Sequence, residues 1–208
     1  MPFLRSSILR SIPTTAALFV AMVLLGSAVA DLPDTPSLAG QLLIAAPTIG
    51  DPRFSHTVIL MVRHDKDGAF GIIINRPIGE RSIASLLEAT GEQDAGVDGT
   101  LRVFACGPVQ PELGFVIHSA EYRRAETLDV DGRVAMTADR QILRDIGRNQ
   151  GPRKTLFALG YTGWAAGQLE GEMARRDWFT APEEPKLIFD DDRDNLWEDA
   201  MARRTREL

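Results

Sequence analysis

The sequence predicts an α+β fold: one compact domain built on a mixed β-sheet and packed by helices. Three observations predict it. Short runs of β-branched and apolar residues interleave irregularly with helical patterns, without the regular alternation of a parallel α/β fold. Two of these runs, Thr57–Arg63 and Ala69–Asn75, are joined by a turn ending in Asp67-Gly68, an antiparallel hairpin signal. Cys106 is the only cysteine, so no intramolecular disulfide exists and a hydrophobic core must hold the chain. A hydrophobic content of 44% over 208 residues is enough to form one.

The N-terminus differs from the rest. Arg5 and Arg10 precede Ala16–Leu25, which is small or apolar throughout, and Ala28-Val29-Ala30 stands before Asp31. A positive region, an apolar run and a small-residue cleavage pattern form a secretory signal peptide over residues 1–30. The run is shorter than the roughly 20 apolar residues of a transmembrane helix, so no stable membrane span is expected after cleavage. Cleavage removes two arginines and no acid, taking the net charge from −6 to −8. The expected location is periplasmic or secreted; the alternative is a cytoplasmic chain with a misassigned start. An acidic chain gives no strong nucleic-acid signal, because that binding rests on Lys and Arg releasing counterions. Arg123-Arg124, Arg175-Arg176 and Arg203-Arg204 each adjoin acids and read as solvated mixed-charge faces.

Residues 31–37 form a polar, proline-bearing leader, expected to be flexible, and the domain proper follows as 38–208. Leu42–Ala46 reads as a first strand ended by Pro47, and Pro77 closes the second strand of the hairpin. Ser82–Ala89 reads as a helix with Ser82 as N-cap and Ile83, Leu86 and Leu87 on one face. Gly91–Gly99 is a polar loop. Arg102–Ala105 and Gly114–His118 read as strands around Cys106-Gly107-Pro108, and Arg133–Met136 as another. Thr137 is the expected cap of a helix through Ile146, and Thr155–Tyr161 the expected central strand. A helix over Trp164–Arg176, a strand over Lys186–Phe189 and a helix over Asp192–Arg204 complete the chain.

Several co-linear motifs carry a likeness. Leu38-Ala39-Gly40-Gln41-Leu42-Leu43-Ile44-Ala45, Asp51-Pro52-Arg53-Phe54, His64 and Gly71-Ile72-Ile73-Ile74-Asn75-Arg76-Pro77 resemble the opening half of the YqgE/AlgH family. Gly107-Pro108-Val109-Gln110, Gly160-Tyr161-Thr162-Gly163-Trp164, Gly167-Gln168-Leu169-Glu170 and Trp178 resemble its second half, so the likeness runs from Leu38 to Ala202. The resemblance implies a strongly bent, barrel-like sheet packed by helices. It implies no settled biochemistry: the family's function is largely unassigned, and some members carry a transcriptional-regulator label. Two departures stand out. The family usually has glycine where this chain has Cys106, and its members usually begin near the Leu38 motif without a signal peptide.

The candidate site residues are His64, Asn75, Arg76, Trp164, Gln168, Glu170 and Glu172. At 100° per residue, Glu172 falls on the stripe formed by Ala165, Leu169 and Met173, with Glu170 on its flank and Gln168 one turn before it. A carboxylate turned inward serves either as a general acid/base or as an anchor for the neighbouring glycine- and tryptophan-bearing loops. Arg76, at a strand end, suits a small anionic ligand or an ion pair with Glu170 or Glu172. His64, opening a hairpin turn, is expected in solvent. Cys106 with His118 would offer a nucleophile–base pair, against the commoner reading of Cys106 as a small buried hydrophobe. Three histidines without close His/Cys spacing give no metal site, and no glycine–lysine phosphate loop or other cofactor signature is present. The expected function is a non-enzymatic binding or regulatory module for a small anionic ligand or protein partner. The alternative is a hydrolase using Glu172 or Glu170 with Arg76 in a cleft.

Overall fold

The computed structural model of the protein describes residues 36–92, 96–190 and 193–205. The expected signal peptide, most of the leader and the expected start of the last helix at Asp192 lie outside the described residues. Among the described residues the elements run β1 (Gln41–Ala45), β2 (Val58–Asp65), β3 (Gly68–Ile73), β4 (Pro77–Ser82), α1 (Ile83–Ala89) and β5 (Thr100–Ala105). They continue with β6 (Val109–Ser119), β7 (Leu128–Asp129), β8 (Val134–Thr137), α2 (Gln141–Gly147), β9 (Thr155–Ala165) and α3 (Gln168–Ala174). β10 (Trp178–Pro182), α4 (Pro185–Phe189) and α5 (Leu196–Ala202) complete the order. The sheet runs β10-β1-β2-β3-β9-β6-β8-β7, with β4 attached through β5, and it curls strongly into a half-barrel. β5 and β9 are parallel and the other ladders antiparallel, so the sheet is mixed.

The apolar strands β1 to β3 are buried on both faces, and period-two alternation divides them between two cores. Leu42, Ile44, Val58, Leu60, Val62, Ile72 and Ile74 pack with Leu187, Ile188, Leu196 and Ala200 of α4 and α5. Leu43, Ala45, Ile59, Met61 and Ile73 face the other way, onto Trp164, Leu169 and Trp178. A third cluster seats α1 and α2 on Val103, Val116 and Phe157.

β9 is longer than the sequence suggested, and this moves a predicted boundary. Residues 157–159 pair with β5, whereas residues 162–165 pair with β3. The change of partner falls at Gly160, in the left-handed region at φ +70°, where a Cβ would lie 2.6 Å from the Gly107 carbonyl oxygen. This glycine is a bend within one strand, so Trp164 and Ala165 are strand residues and the helix begins only at Gln168.

Other expectations fail for local reasons. Lys186–Phe189 is helical: Pro185 occupies the first helical position, which suits its fixed φ, and a four-residue apolar run does not distinguish strand from helix. Thr137 does not cap α2. It is a buried strand residue, and the turn into the helix is made by Asp139, whose Oδ1 accepts from Gln141 N at 2.9 Å. Pro77 stands beyond β3 and opens a strand of its own, β4, a first position that costs no ladder hydrogen bond. Ser82 caps α1 as predicted, accepting from Ser85 N at 3.1 Å.

The two ends of the strand order meet through side chains. Glu183, just beyond β10, is 2% exposed. Arg133, between β7 and β8, places Nη2 2.6 Å from Glu183 Oε2 and also holds Asp131 at 3.0 Å. The Glu183 contact is a charge approach without hydrogen-bond alignment, and neither Glu183 oxygen has an aligned donor among the described residues. Burial first, then the adjacent Asp131 carboxylate, pushes the Glu183 carboxyl up to about 8.

Candidate functional site

Helix α3 follows Gly167, whose left-handed φ of +73° turns the chain back over the sheet. Leu169 is buried beneath it and Met173 packs against the same cluster, which fixes the helix rotation and turns Glu172 inward. Glu172 Oε2 accepts from Trp164 Nε1 and from Trp178 Nε1, each at 2.8 Å. Glu172 Oε1 accepts from Gln168 Nε2 at 2.9 Å, and Gln168 Oε1 accepts from Ala165 N at 3.1 Å. One glutamate thus ties the end of β9, the start of β10 and its own helix together. The two indoles meet edge to face, with centroids 6.0 Å apart and planes at 81°.

Beside this clamp lies an open cleft of about 590 Å³. Phe54, Trp164 and Trp178 supply its aromatic wall, with Phe54 edge-on to Trp178 at 5.5 Å. Asp51 and Arg53 line one side, and Arg175 and Asp177 another. Asp51 accepts from both the backbone and the guanidinium of Arg53, and these bonds hold its carboxyl below the ordinary value.

His64 is a correction: it is 6% exposed, not in solvent. Its Nδ1 accepts from Leu38 N at 3.1 Å, so the ring hydrogen sits on Nε2 and donates to Glu170 Oε1 at 2.8 Å. Ser37 Oγ donates to the His64 carbonyl at 2.8 Å, so the last leader residue is tied to β2. Burial opposes ionisation of Glu170, but its own backbone N–H and His64 outweigh it and lower the carboxyl's pKa. His64 and Glu170 therefore join the entry of the domain to α3 and do not line the cleft.

Asn75 and Arg76 are also absent from the cleft lining. Asn75 Oδ1 accepts from Val58 N at 3.0 Å and its Nδ2 donates to His56 O at 2.8 Å, bracketing the start of β2. Arg76 pairs with neither Glu170 nor Glu172; its Nη2 donates to Ser55 O at 3.1 Å. Cys106 is fully buried, and burial pushes its thiol pKa up, away from the reactive thiolate. His118 is buried as well, bonded to Thr137 Oγ1 at 2.9 Å and to Ser119 O at 3.0 Å, so it is no base for Cys106.

Of the seven sequence-predicted site residues, the cleft gathers Trp164, Gln168 and Glu172. It adds Asp51, Arg53, Phe54, Arg175, Asp177 and Trp178. In the sequence, Asp51-Pro52-Arg53-Phe54 stands out only as a family motif; Pro52–Phe54 form a 3₁₀ turn capped by Asp51, and nothing local showed that Phe54 would reach Trp178. Chemically, Glu172 is poorly placed as a general base, since three donors occupy its oxygens and none is a substrate. Among the described residues, no group of three or more His, Cys, Asp or Glu is placed to hold a metal. No helix among them is long and apolar enough to cross a membrane.

The AlgH-like family model matches residues 42–208. A UPF0301 protein of Jannaschia sp. is 43% identical over 173 residues, covering 82% of this chain and 90% of the relative. One of Sphingopyxis alaskensis is 44% identical over 164 residues, covering 78% and 87%. The solution structure of the AlgH protein from Pseudomonas aeruginosa matches at a TM-score of 0.70 and 37% identity, over 81% of this chain and 90% of that one. A crystal structure of a Corynebacterium diphtheriae protein matches at 0.60 and 22% identity, over 80% and 86%, a likeness of fold.

Proposed function

We propose that this chain, which belongs to the AlgH-like family, is a non-enzymatic binding or regulatory module whose ligand seats in the cleft that Phe54, Trp164 and Trp178 help to line. The observation that supports it is the clamp: Glu172 spends both oxygens on holding the two indoles and Gln168 in place. A binding site gains from walls fixed before the ligand arrives. The hydrolase alternative requires His64, Arg76 and a free carboxylate in one pocket, and of these the cleft has Glu172 alone, with its oxygens engaged.

The test is an NMR screen of the full chain against metabolite mixtures, reading the indole Nε1–H signals of Trp164 and Trp178, run beside ester, amide and phosphoester substrates. Saturable movement of both signals without turnover is expected. Turnover that disappears in Glu172→Gln would overturn the reading in favour of the hydrolase.

Export is part of the same proposal and rests on residues 1–30. N-terminal sequencing of the native protein should find Asp31 first, in the periplasmic fraction. A cytoplasmic chain starting near Leu38 would contradict it.

A further inference from the structure

Five formal charges line the cleft, and four of them cancel in pairs. Arg53 closes on Asp51, with Nη2 2.6 Å from Oδ2, and Arg175 closes on Asp177 at 3.0 Å. Glu172 is the fifth. Its partners are two indole N–H groups and a primary amide, all neutral. Its oxygens only accept in this geometry, the role of an ionised carboxylate. One negative charge is therefore left at the cleft with no cation paired to it among the described residues.

The aromatic wall favours the same partner. A cation within about 6 Å of an aromatic centroid is attracted by the ring quadrupole, most strongly by indole. Glu172 takes up the electropositive N–H edges of both indoles, so these edges do not oppose a cation, and the cleft already holds one cation against a ring: the Arg53 guanidinium lies 5.9 Å from the Phe54 centroid. An anion would meet Asp51, Asp177 and Glu172, with both arginines already engaged. Arg76, the reason to expect an anion, binds the Ser55 carbonyl instead.

We propose that the cleft takes a small organic cation, an alkylammonium or quaternary ammonium group, seated at Trp164 and Trp178 with Glu172 as its counter-charge. This rests on the cleft being the binding site. It replaces the anionic ligand expected from the sequence.

The test titrates the full chain with choline, with the neutral tert-butyl isostere of choline, with lysine amide and with acetate, at constant ionic strength. Indole Nε1–H signals are read, and Trp197, whose Nε1 donates to Ala45 O at 2.9 Å, serves as the internal control. Choline or lysine amide should move the Trp164 and Trp178 signals about tenfold more tightly than the isostere, and leave Trp197 in place. The tighter of the two separates a free quaternary amine from a lysine side chain. Glu172→Gln, checked as folded by its urea transition, should weaken cation binding about tenfold more than it weakens binding of the isostere. Equal binding of choline and isostere, or binding of acetate in place of choline, would overturn the cation inference while the cleft remained a ligand site. If no probe moves either signal, the cation inference fails, and the metabolite screen decides separately whether the cleft binds a ligand.

Discussion

Glu172 and Glu183 are both drawn away from water, one beside the cleft and the other at the seam where the strand order closes. At the cleft, three N–H groups point at the carboxylate. At the seam, the carboxyl is 2% exposed and faces Asp131, and among the described residues it has no aligned donor and only the half-exposed Arg133 to favour its charge. The two acids differ in depth and in donors: Glu172 is half-buried and accepts three N–H groups, whereas at Glu183 burial first, then a second carboxylate, favours the proton.

The largest effect should follow from breaking the cleft side. Glu172→Ala leaves two indole N–H groups without an acceptor, and is expected to cost about 2–5 kcal/mol in urea unfolding. Glu172→Gln keeps an acceptor and should cost well under half of that. If the two substitutions cost the same, the clamp is not what the carboxylate supplies.

The seam side is sharpened by pH. Glu183 titrates at about 8 in the folded protein against 4.5 ordinarily, so between those values the native state holds more protons than the unfolded one. Stability from this group should therefore fall as pH rises from about 4.5 to 8, by at least about 1 kcal/mol. Glu183→Gln should lose that slope, read as the difference in unfolding free energy between the two chains across the window. Parallel slopes in both chains would contradict it.

A smaller effect joins the two ends of the comparison. His64→Leu removes the acceptor for Leu38 N and the ring donor to Glu170, at an expected cost of about 1 kcal/mol or more with faster proteolysis near Ser37. Because the Glu170 carboxyl is lowered, its contribution is present above the ordinary carboxylate range and lost as pH falls through the folded value. Unchanged proteolysis would mean that the leader is held elsewhere. Arg76→Ala should be smallest, within about 0.5–1 kcal/mol, since it removes one bond to a loop carbonyl.

Much of this was legible in the sequence. The continuous apolar strands β1 to β3, the hairpin at Asp67-Gly68 and the Ser82 cap are local signals, and they hold. Helical spacing also placed Glu172 inward and Gln168 within reach of it. What stayed hidden depends on contacts far apart in the chain. His64 looks exposed beside its turn, and is buried because Leu38 and a glutamate 106 residues away close over it. Gly160 looks like a strand exit, and is a bend because β5 hands over to β3 there. Glu183 sits in a polar Pro-Glu-Glu-Pro run that gives no hint of a barrel seam.

The central claim is that one carboxylate holds both tryptophans of the cleft. Hydrogen exchange at the indole N–H groups of Trp164 and Trp178, in the native chain and in Glu172→Ala, tests it most directly. Both should be protected in the native chain and should lose protection together in the variant. Fast exchange at either indole in the native chain, or a response at only one of them in the variant, would contradict it.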